Sequence, residues 1–200
     1  MAPRLLIASN NEGKVREFRR LLEGCGWEIV APQDLGLVVE VEETGSTYTE
    51  NARIKAEAFS RASGLAALAD DSGLEVDALG GEPGPLHHLR GWDGRDPTET
   101  SGRLLAALWD VPAEKRTGRY RAVLVLYLPD GRTIETEGAE EGVIAASMMG
   151  EGGFGYDPVF YLPELGKTIA ELSMEEKNRV SHRGLAAAAM RDRLQELANE

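Results

Sequence analysis

The chain has 200 residues, 42% of them hydrophobic and 28% charged, enough for one sizeable core and without the composition of a disordered chain. Its formal net charge of −12 excludes a sequence-indifferent nucleic-acid binder, which needs clustered Lys and Arg, but leaves room for a single nucleotide in a local basic pocket. Cys25 is the one cysteine, which excludes an internal disulfide and a thiolate cluster; no apolar run has membrane-spanning or signal-peptide form, so the cytoplasm is the expected compartment.

Residues 5–8 read as a buried strand, residues 9–13 as a polar, Gly-containing turn, and Lys14 as the opening of a helix. Val15, Phe18 and Leu22 share one face of that helix, and Gly24 is a natural stop. Free N–H groups, the positive end of the helix dipole and an ammonium would then converge on one point, which suits a phosphate chain, although the spacing is not that of a P-loop. From Cys25 through Glu50 inclusive there are six acids and no Lys or Arg. Short strands are expected at 29–30 and 37–39, followed by Glu40, Glu42 and Glu43, which form either a solvated acidic loop or a source of one metal ligand.

Thr47 and Glu50 form a capping box, so a helix should run from there to about Ser63 and end at Gly64. Ala52, Ala56, Phe59 and Ala62 make its apolar stripe, and Lys55 falls on the same stripe. The apolar run 66–69 then stops at Asp70 and Asp71, with Ser72-Gly73 read as a turn and an alternating strand expected at 74–79. Carboxylates at the carboxyl end of a buried strand sit where open α/β sheets hold their ligands; the alternative is a plain acidic turn.

Residues 80–85 are a loop, and His87-His88 lack a third ligand in reach and read as surface. Asp96 as cap, Pro97 at the first position and Glu99 closing the box begin another helix, whose buried face would be Leu104, Leu105, Leu108 and Trp109. A strand from 119 to 128, a turn at Pro129-Asp130-Gly131 and a return from 132 to 145 make a hairpin, which among βα units predicts a mixed sheet. The glycine-aromatic stretch 150–160 lets backbone approach a ligand closely, and Phe154 and Tyr156 offer flat faces for a base. Ser173 caps a short helix carrying Lys177 and Arg179, and the final helix, begun by Ser181–Gly184, buries Ala186, Met190, Leu194 and Leu197. Together the acidic clusters, loop lysines, aromatic loop and the basic group Lys177, His182 and Arg183 suggest a metal-bridged nucleotide polyphosphate.

Five motifs in order carry a resemblance: Ser9-Asn10-Asn11-x-Gly13-Lys14; Glu42-Glu43-Thr44-Gly45 with Glu50-Asn51-Ala52-x-x-Lys55-Ala56; Asp70-Asp71-Ser72-Gly73-Leu74; Gly152-Gly153-Phe154-Gly155-Tyr156-Asp157-Pro158-x-Phe160; and Lys177 with Ser181-His182-Arg183-Gly184. From Leu5 to about Leu194 the chain closely resembles the inosine/xanthosine triphosphate pyrophosphatase (Ham1-like) family. The resemblance implies an α/β protein with a mixed, twisted central sheet and flanking helices, a single domain over 1–200 made of two lobes with the active-site cleft between them. It implies a homodimer that needs Mg²⁺ and hydrolyses ITP, dITP and XTP to the monophosphate and pyrophosphate, keeping deaminated purines out of DNA and RNA. By matching position, Ser9, Asn10, Asn11, Glu12, Gly13 and Lys14 would hold the triphosphate, and Lys55 would help neutralise it. Glu43 and Asp71 would bind the metal, with Asp71 the proton acceptor and Asp70 in support. Ser72, Phe154, Gly155, Tyr156, Asp157 and Lys177 would contact the nucleotide, and His182 and Arg183 would surround the base.

One departure is visible: Pro83-Gly84 is followed by Pro85-Leu86-His87-His88-Leu89-Arg90 where the family has a Ser-Ala-Arg segment, so the role of the 84–95 loop and of Arg90 stays open. Two other readings remain: a Maf-type pyrophosphatase acting on other bases, which the segment from Lys177 to Arg183 should distinguish, and a nucleotide sensor without turnover, against which the complete acidic set argues.

Overall fold

The computed structural model of the chain describes residues 2–87, 90–92, 94 and 96–199. Its strands are β1 (Arg4–Ile7), β2 (Glu28–Val30), β3 (Ala66–Val76), β4 (Thr117–Tyr127), β5 (Thr133–Ile144), β6 (Phe160–Leu162) and β7 (Lys167–Thr168). Its helices are α1 (Glu12–Leu21), α2 (Tyr48–Ser63), α3 (Pro97–Ala107), α4 (Met174–Val180) and α5 (His182–Ala198). The strands form one sheet in the order β2-β1-β3-β4-β5-β6-β7. β1 pairs in parallel with β2 and β3, Leu5 lying opposite Ile29 on one side and Ala66 on the other, while β5, β6 and β7 pair antiparallel. The sheet is therefore mixed, as the hairpin among βα units predicts.

The chain divides into two compact units: the first holds the residues up to Ser72, Ala122–Gly138 and the residues from Arg183 onward, the second Gly73–Arg121 and Ala139–His182. In the first unit the two-residue period of the strands sorts side chains onto two faces. Leu5, Ile7, Ala66, Leu68, Leu124 and Leu126 point one way, onto Val15 and Phe18 of α1 and Ala186, Met190 and Leu194 of α5. Leu6, Ala8, Ala67, Ala69, Val123 and Val125 point the other way, onto Ala52, Ala56 and Phe59 of α2. The second unit is built on Leu74, Val76, Leu104, Leu108, Tyr120, Ile144, Val159 and Phe160. Among the described residues no helix is long and apolar enough to cross a membrane.

The Thr47 capping box and the left-handed Gly64 bound α2 as expected. Other expectations change. α1 starts at Glu12, two residues before Lys14, because Asn11 is its cap. Residues 37–39 join no strand: Leu37, Val39 and Val41 keep an extended alternation and pack on the α2 face, and β2 stands at the edge of the sheet without them. Asp96 caps α3 through the Glu99 N–H, but the Glu99 carboxylate pairs with Arg103 instead of closing a box. Trp109 and Ala62 are exposed: α3 ends at Ala107, which turns Trp109 off its buried stripe, and Ala62 lies in the last turn of α2. The most consequential change is at Ser72-Gly73, where no turn forms and β3 runs unbroken from Ala66 to Val76, so that Asp70 and Asp71 lie inside a strand, not at its end.

Candidate functional site

Because β3 continues through the acidic pair, its pleat sends the two carboxylates to opposite faces. Asp70 follows Ala66 and Leu68 to the face of α1 and α5, and Asp71 follows Ala67 and Ala69 to the face of α2. Asp70 accepts from Lys14 of α1 (3.0 Å) and from Arg183 Nε of α5 (3.2 Å), and Ser72, two residues on and on the same face, donates to Asp70 (3.3 Å) and accepts from Arg183 Nη2 (3.1 Å). Arg183 Nη1 also meets Glu17 of α1 at 3.0 Å. On the other face, Lys55 of α2 bridges Asp71 (3.1 Å) and Glu43 (3.0 Å).

The two neighbours consequently titrate in opposite directions. Burial alone would raise Asp70, but the Lys14 and Arg183 charges, with Lys55 behind them, outweigh it and hold the carboxyl far below its usual range. Burial raises Asp71, the Glu43 and Asp70 charges push the same way, and Lys55 only partly offsets them, so Asp71 binds its proton more tightly than an ordinary aspartate. Burial would lower Lys55, yet Asp71, Asp70 and Glu43 raise it and keep it an ammonium.

A cleft of about 240 Å³ in this unit is lined by Ser9, Asn10, Asn11, Lys14, Glu43, Lys55 and Asp70, together with Val39, Val41 and Phe59. The segment 37–45 closes over it through a bond from Asn10 Nδ2 to the Val39 carbonyl (2.9 Å). The N–H groups that could meet a phosphate are partly occupied: Asn11 Oδ1 accepts from Gly13 (2.8 Å) and Lys14 (3.2 Å), and the Asn11 N–H donates to Ser9 Oγ. A Cβ on Gly13 would stand 3.0 Å from that capping oxygen, so a side chain there would crowd the cap. Glu12 is exposed and pairs with Arg16 in the next turn, at 3.5 Å.

Glu43 and Asp71 suit a hard cation. Their oxygens both reach one ammonium, so both can reach one ion, and Mg²⁺ is commonly held by one or two carboxylates with substrate phosphates completing the shell. Among the described residues no group of three His, Cys, Asp or Glu side chains is arranged to hold an ion without that help.

The second unit holds the other set. Asp157 is 2% exposed and accepts from the Phe154 N–H (2.8 Å), Lys177 (2.8 Å) and the Tyr120 hydroxyl (3.3 Å). Gly153 is required there: its φ is +80°, and a Cβ would lie 2.1 Å from Asp157 Oδ2. Lys177 stands over the Phe154 ring at 4.8 Å from its centroid, and that ring is 54% exposed. His182 is buried and stacked on Tyr120 with centroids 4.8 Å apart and planes 9° from parallel. Burial above all, and then Asp157, drive the Tyr120 hydroxyl well above its usual range, so it remains a proton donor. Tyr156 does not offer the flat face expected of it: it is buried in the core of this unit, with its hydroxyl donating to the Trp92 carbonyl (3.5 Å), and the Gly155 carbonyl accepts from Ser101.

The order of these groups along the chain has known counterparts. The family model described as the Ham1 family matches residues 5–193. The chain belongs to the Ham1 family. It is 50% identical over 200 residues to a dITP/XTP pyrophosphatase of Symbiobacterium thermophilum, covering 98% of each chain, and 48% identical to one of Desulforamulus reducens, covering 92% of this chain and 91% of that one. Its fold matches the HAM1 protein of Coxiella burnetii with a TM-score of 0.88 at 36% identity, over 97% of this chain and 99% of that one. A nucleoside-triphosphatase / dITP/XTP pyrophosphatase of Mycobacterium abscessus matches with a TM-score of 0.76 at 42% identity, over 94% and 98%.

Within this Ham1 chain the basic segment is split by its own fold. Lys177 and His182 belong to the set around Asp157, whereas Arg183 is committed to Asp70, Glu17 and Ser72. Glu17 stands three positions after Lys14 on the same helix, a spacing that marks it in the sequence, whereas Tyr120, inside a long apolar strand, carries no such signal. In the divergent loop Arg90 pairs with Glu82 (2.5 Å), His87 Nδ1 lies 3.2 Å from the Gly84 carbonyl, and His88 lies outside the described residues.

Proposed function

We propose that this chain is a Mg²⁺-dependent dITP/XTP pyrophosphatase, hydrolysing ITP, dITP and XTP to the nucleoside monophosphate and pyrophosphate and so keeping these bases out of DNA and RNA. The observation that carries the reading is the pleat of β3, which pairs Asp70 with Lys14 and Arg183 on one face and sets Asp71 beside Lys55 and Glu43 on the other. The two carboxyls diverge in proton affinity as a result, Asp70 down and Asp71 up, and such divergence separates a fixed counter-charge from a working base. Two relatives of closely similar length bear the name dITP/XTP pyrophosphatase, which supports the same choice.

Asp71, as carboxylate, takes a proton from the water that attacks the α-phosphorus, and the bond to the bridging oxygen breaks with pyrophosphate leaving. Glu43 and Asp71 would hold the metal, which when bound supplies positive charge to the phosphate oxygens. Lys14 and Lys55, now paired with carboxylates, are the ammonium groups that exchange part of those contacts for phosphate oxygens, in a cleft whose Ser9, Asn10 and Asn11 supply polar contacts to the chain. Asp70 stays ionised between Lys14 and Arg183 and keeps both in place. For the base, Phe154 of the second unit supplies an exposed ring on which it stacks. Lys177 supplies a charge-assisted donor to the 6-oxo group, where adenine would present a donor of its own; His182 lies in the same set.

The test is pyrophosphate release from a panel of nucleoside triphosphates with Mg²⁺. ITP and XTP are expected to exceed ATP, which lacks the 6-oxo acceptor, by about a hundredfold or more in kcat/KM, the range open to a site that hydrogen-bonds its substrate, and to exceed GTP as well. Equal rates would overturn the specificity, and orthophosphate as first product would overturn attack at the α-phosphorus. The proposal extends to a homodimer, read by light scattering, at work on the cytoplasmic nucleotide pool.

A further inference from the structure

A buried tyrosine brings a large apolar ring and one hydroxyl that needs a partner. Tyr120 of β4 is buried in the core of the second unit and uses both parts there. Its ring lies tilted on Phe160 of β6, with centroids 4.8 Å apart and planes at 58°, and parallel to His182 at the same spacing. Its hydroxyl donates to Asp157 Oδ1 (3.3 Å). The other oxygen of that carboxylate, Oδ2, accepts from the Phe154 N–H and from Lys177, each at 2.8 Å. The donors are therefore divided between the two oxygens: Lys177 stands on one and Tyr120 on the other.

We propose that Tyr120 is a positioning residue for base specificity: by holding Asp157 Oδ1 it fixes the plane of the carboxylate, and so fixes where Oδ2 sets the Lys177 ammonium for the 6-oxo group of the base. The inference rests on the reading of Lys177 and Phe154 as the base-holding groups. A carboxylate turns easily about its Cβ–Cγ bond, and an ammonium with three donors follows whichever oxygen is unsatisfied. With Tyr120 in place, Oδ1 has its donor and Lys177 stays on Oδ2, over the Phe154 ring. Without the hydroxyl, Oδ1 is a buried acceptor that has lost its donor, a costly state that the carboxylate relieves by turning Oδ1 toward Lys177. The ammonium then leaves the place from which it meets the base. Packing on Phe160 and His182 holds the phenol itself still, so the hydroxyl acts as a fixed reference for the carboxylate.

Tyr120→Phe keeps the ring and removes the hydroxyl. In that variant kcat/KM for ITP should fall about three- to tenfold, the worth of one hydrogen bond, carried mainly by KM. ATP hydrolysis should change less, so the ITP to ATP ratio narrows. A double-mutant cycle with Lys177→Met separates positioning from packing. Because the hydroxyl acts through Lys177, adding Tyr120→Phe to Lys177→Met should leave the ratio within about twofold of that in Lys177→Met alone. The same narrowing in both backgrounds would mean that Tyr120 serves packing alone and would overturn the proposal, as would an unchanged ratio in Tyr120→Phe.

Should Tyr120→Phe not fold, proton NMR of the parent decides. The Tyr120 hydroxyl proton, assigned through the neighbouring Phe160 and His182 rings, should shift when saturating IMP binds, and shift less with saturating AMP. A shift with IMP no larger than that with AMP overturns the proposal. Failure of the broader reading looks different, namely a parent enzyme that does not prefer ITP to ATP.

Discussion

The acidic set on β3 and the aromatic set around Asp157 handle charge in opposite ways. The first interleaves three carboxylates, Glu43, Asp70 and Asp71, with Lys14, Lys55 and Arg183, and Glu43, Asp70, Lys14 and Lys55 line a polar cleft. Its cations already sit on anions, and a phosphate chain can replace part of those contacts without leaving buried charge unpaired. The second set closes one buried carboxylate with a backbone N–H, an ammonium and a phenol, and presents a single exposed ring. The contrast separates two kinds of defect: changes in the first set should fall on turnover and on the pH dependence of stability, and changes in the second on which base is accepted.

The sharpest way to break that comparison lies within the first set. Asp70→Asn leaves Lys14 and Arg183 short of their shared counter-charge and should cost about 3–5 kcal/mol of stability. The Asp70 carboxyl is depressed in the folded chain, so its stabilisation is present above the unfolded value of about 3.9 and fades as pH falls through the folded value. The variant's melting-temperature deficit should therefore be full at pH 7 and smaller in strong acid. Asp71→Asn should do the reverse. Its carboxyl is raised on folding, so the ionised form weakens the fold above the folded value, and the amide should melt higher than the parent at pH 7–8, with the gap closing as acid protonates the parent. Turnover of Asp71→Asn should fall at least about a hundredfold with nucleotide still bound. Two variants that behave alike in calorimetry and in pyrophosphate release would remove the distinction between counter-charge and base.

The second set should respond in specificity. Lys177→Met keeps much of the length of the side chain but removes the ammonium from Asp157 and from the base. Losing a charge-assisted hydrogen bond of roughly 1.5–3 kcal/mol predicts a ten- to hundredfold fall in kcat/KM for ITP, carried mainly by KM. ATP hydrolysis should change less, because adenine has no 6-oxo acceptor to lose, so the ITP to ATP ratio narrows. A loss confined to kcat and equal for both substrates would place Lys177 in the chemistry instead.

How much of this was legible in the sequence follows from the range of the signals. Motifs governed by neighbours in the chain read correctly: the Thr47 box and Gly64 bound α2, and the turn after Leu128 makes the β4–β5 hairpin. The candidate site residues stand in local motifs, but their partners do not follow from those motifs, because partners come from pleat and packing. Reading Ser72-Gly73 as a turn hid the alternation that sends Asp70 to Lys14 and Arg183, and Asp71 to Lys55. A Gly after a Ser looks like a turn, yet β3 runs on through it to Leu74 and Val76, both buried in the core of the second unit. Lys177, His182 and Arg183 likewise read as one basic group from their spacing, while the fold assigns Arg183 to different partners.

The smallest expected effect tests whether the two sets can be told apart from ordinary stability loss. Thr47 Oγ1 accepts from the Glu50 N–H at the start of α2, the helix that carries Lys55. Thr47→Ala removes that bond but leaves Glu50 bonded to the Ser46 N–H and hydroxyl and to the N–H of residue 47. The loss should be about 1 kcal/mol, or about 2–4 °C in melting temperature for a chain of this size. Because the cap touches neither carboxylate and no base-holding group, the ITP to ATP ratio should equal that of the parent, and the pH profile of turnover should be superimposable. A cap variant that shifted the ratio would mean that specificity follows overall stability, and the fall expected for Lys177→Met would then carry no information about the base.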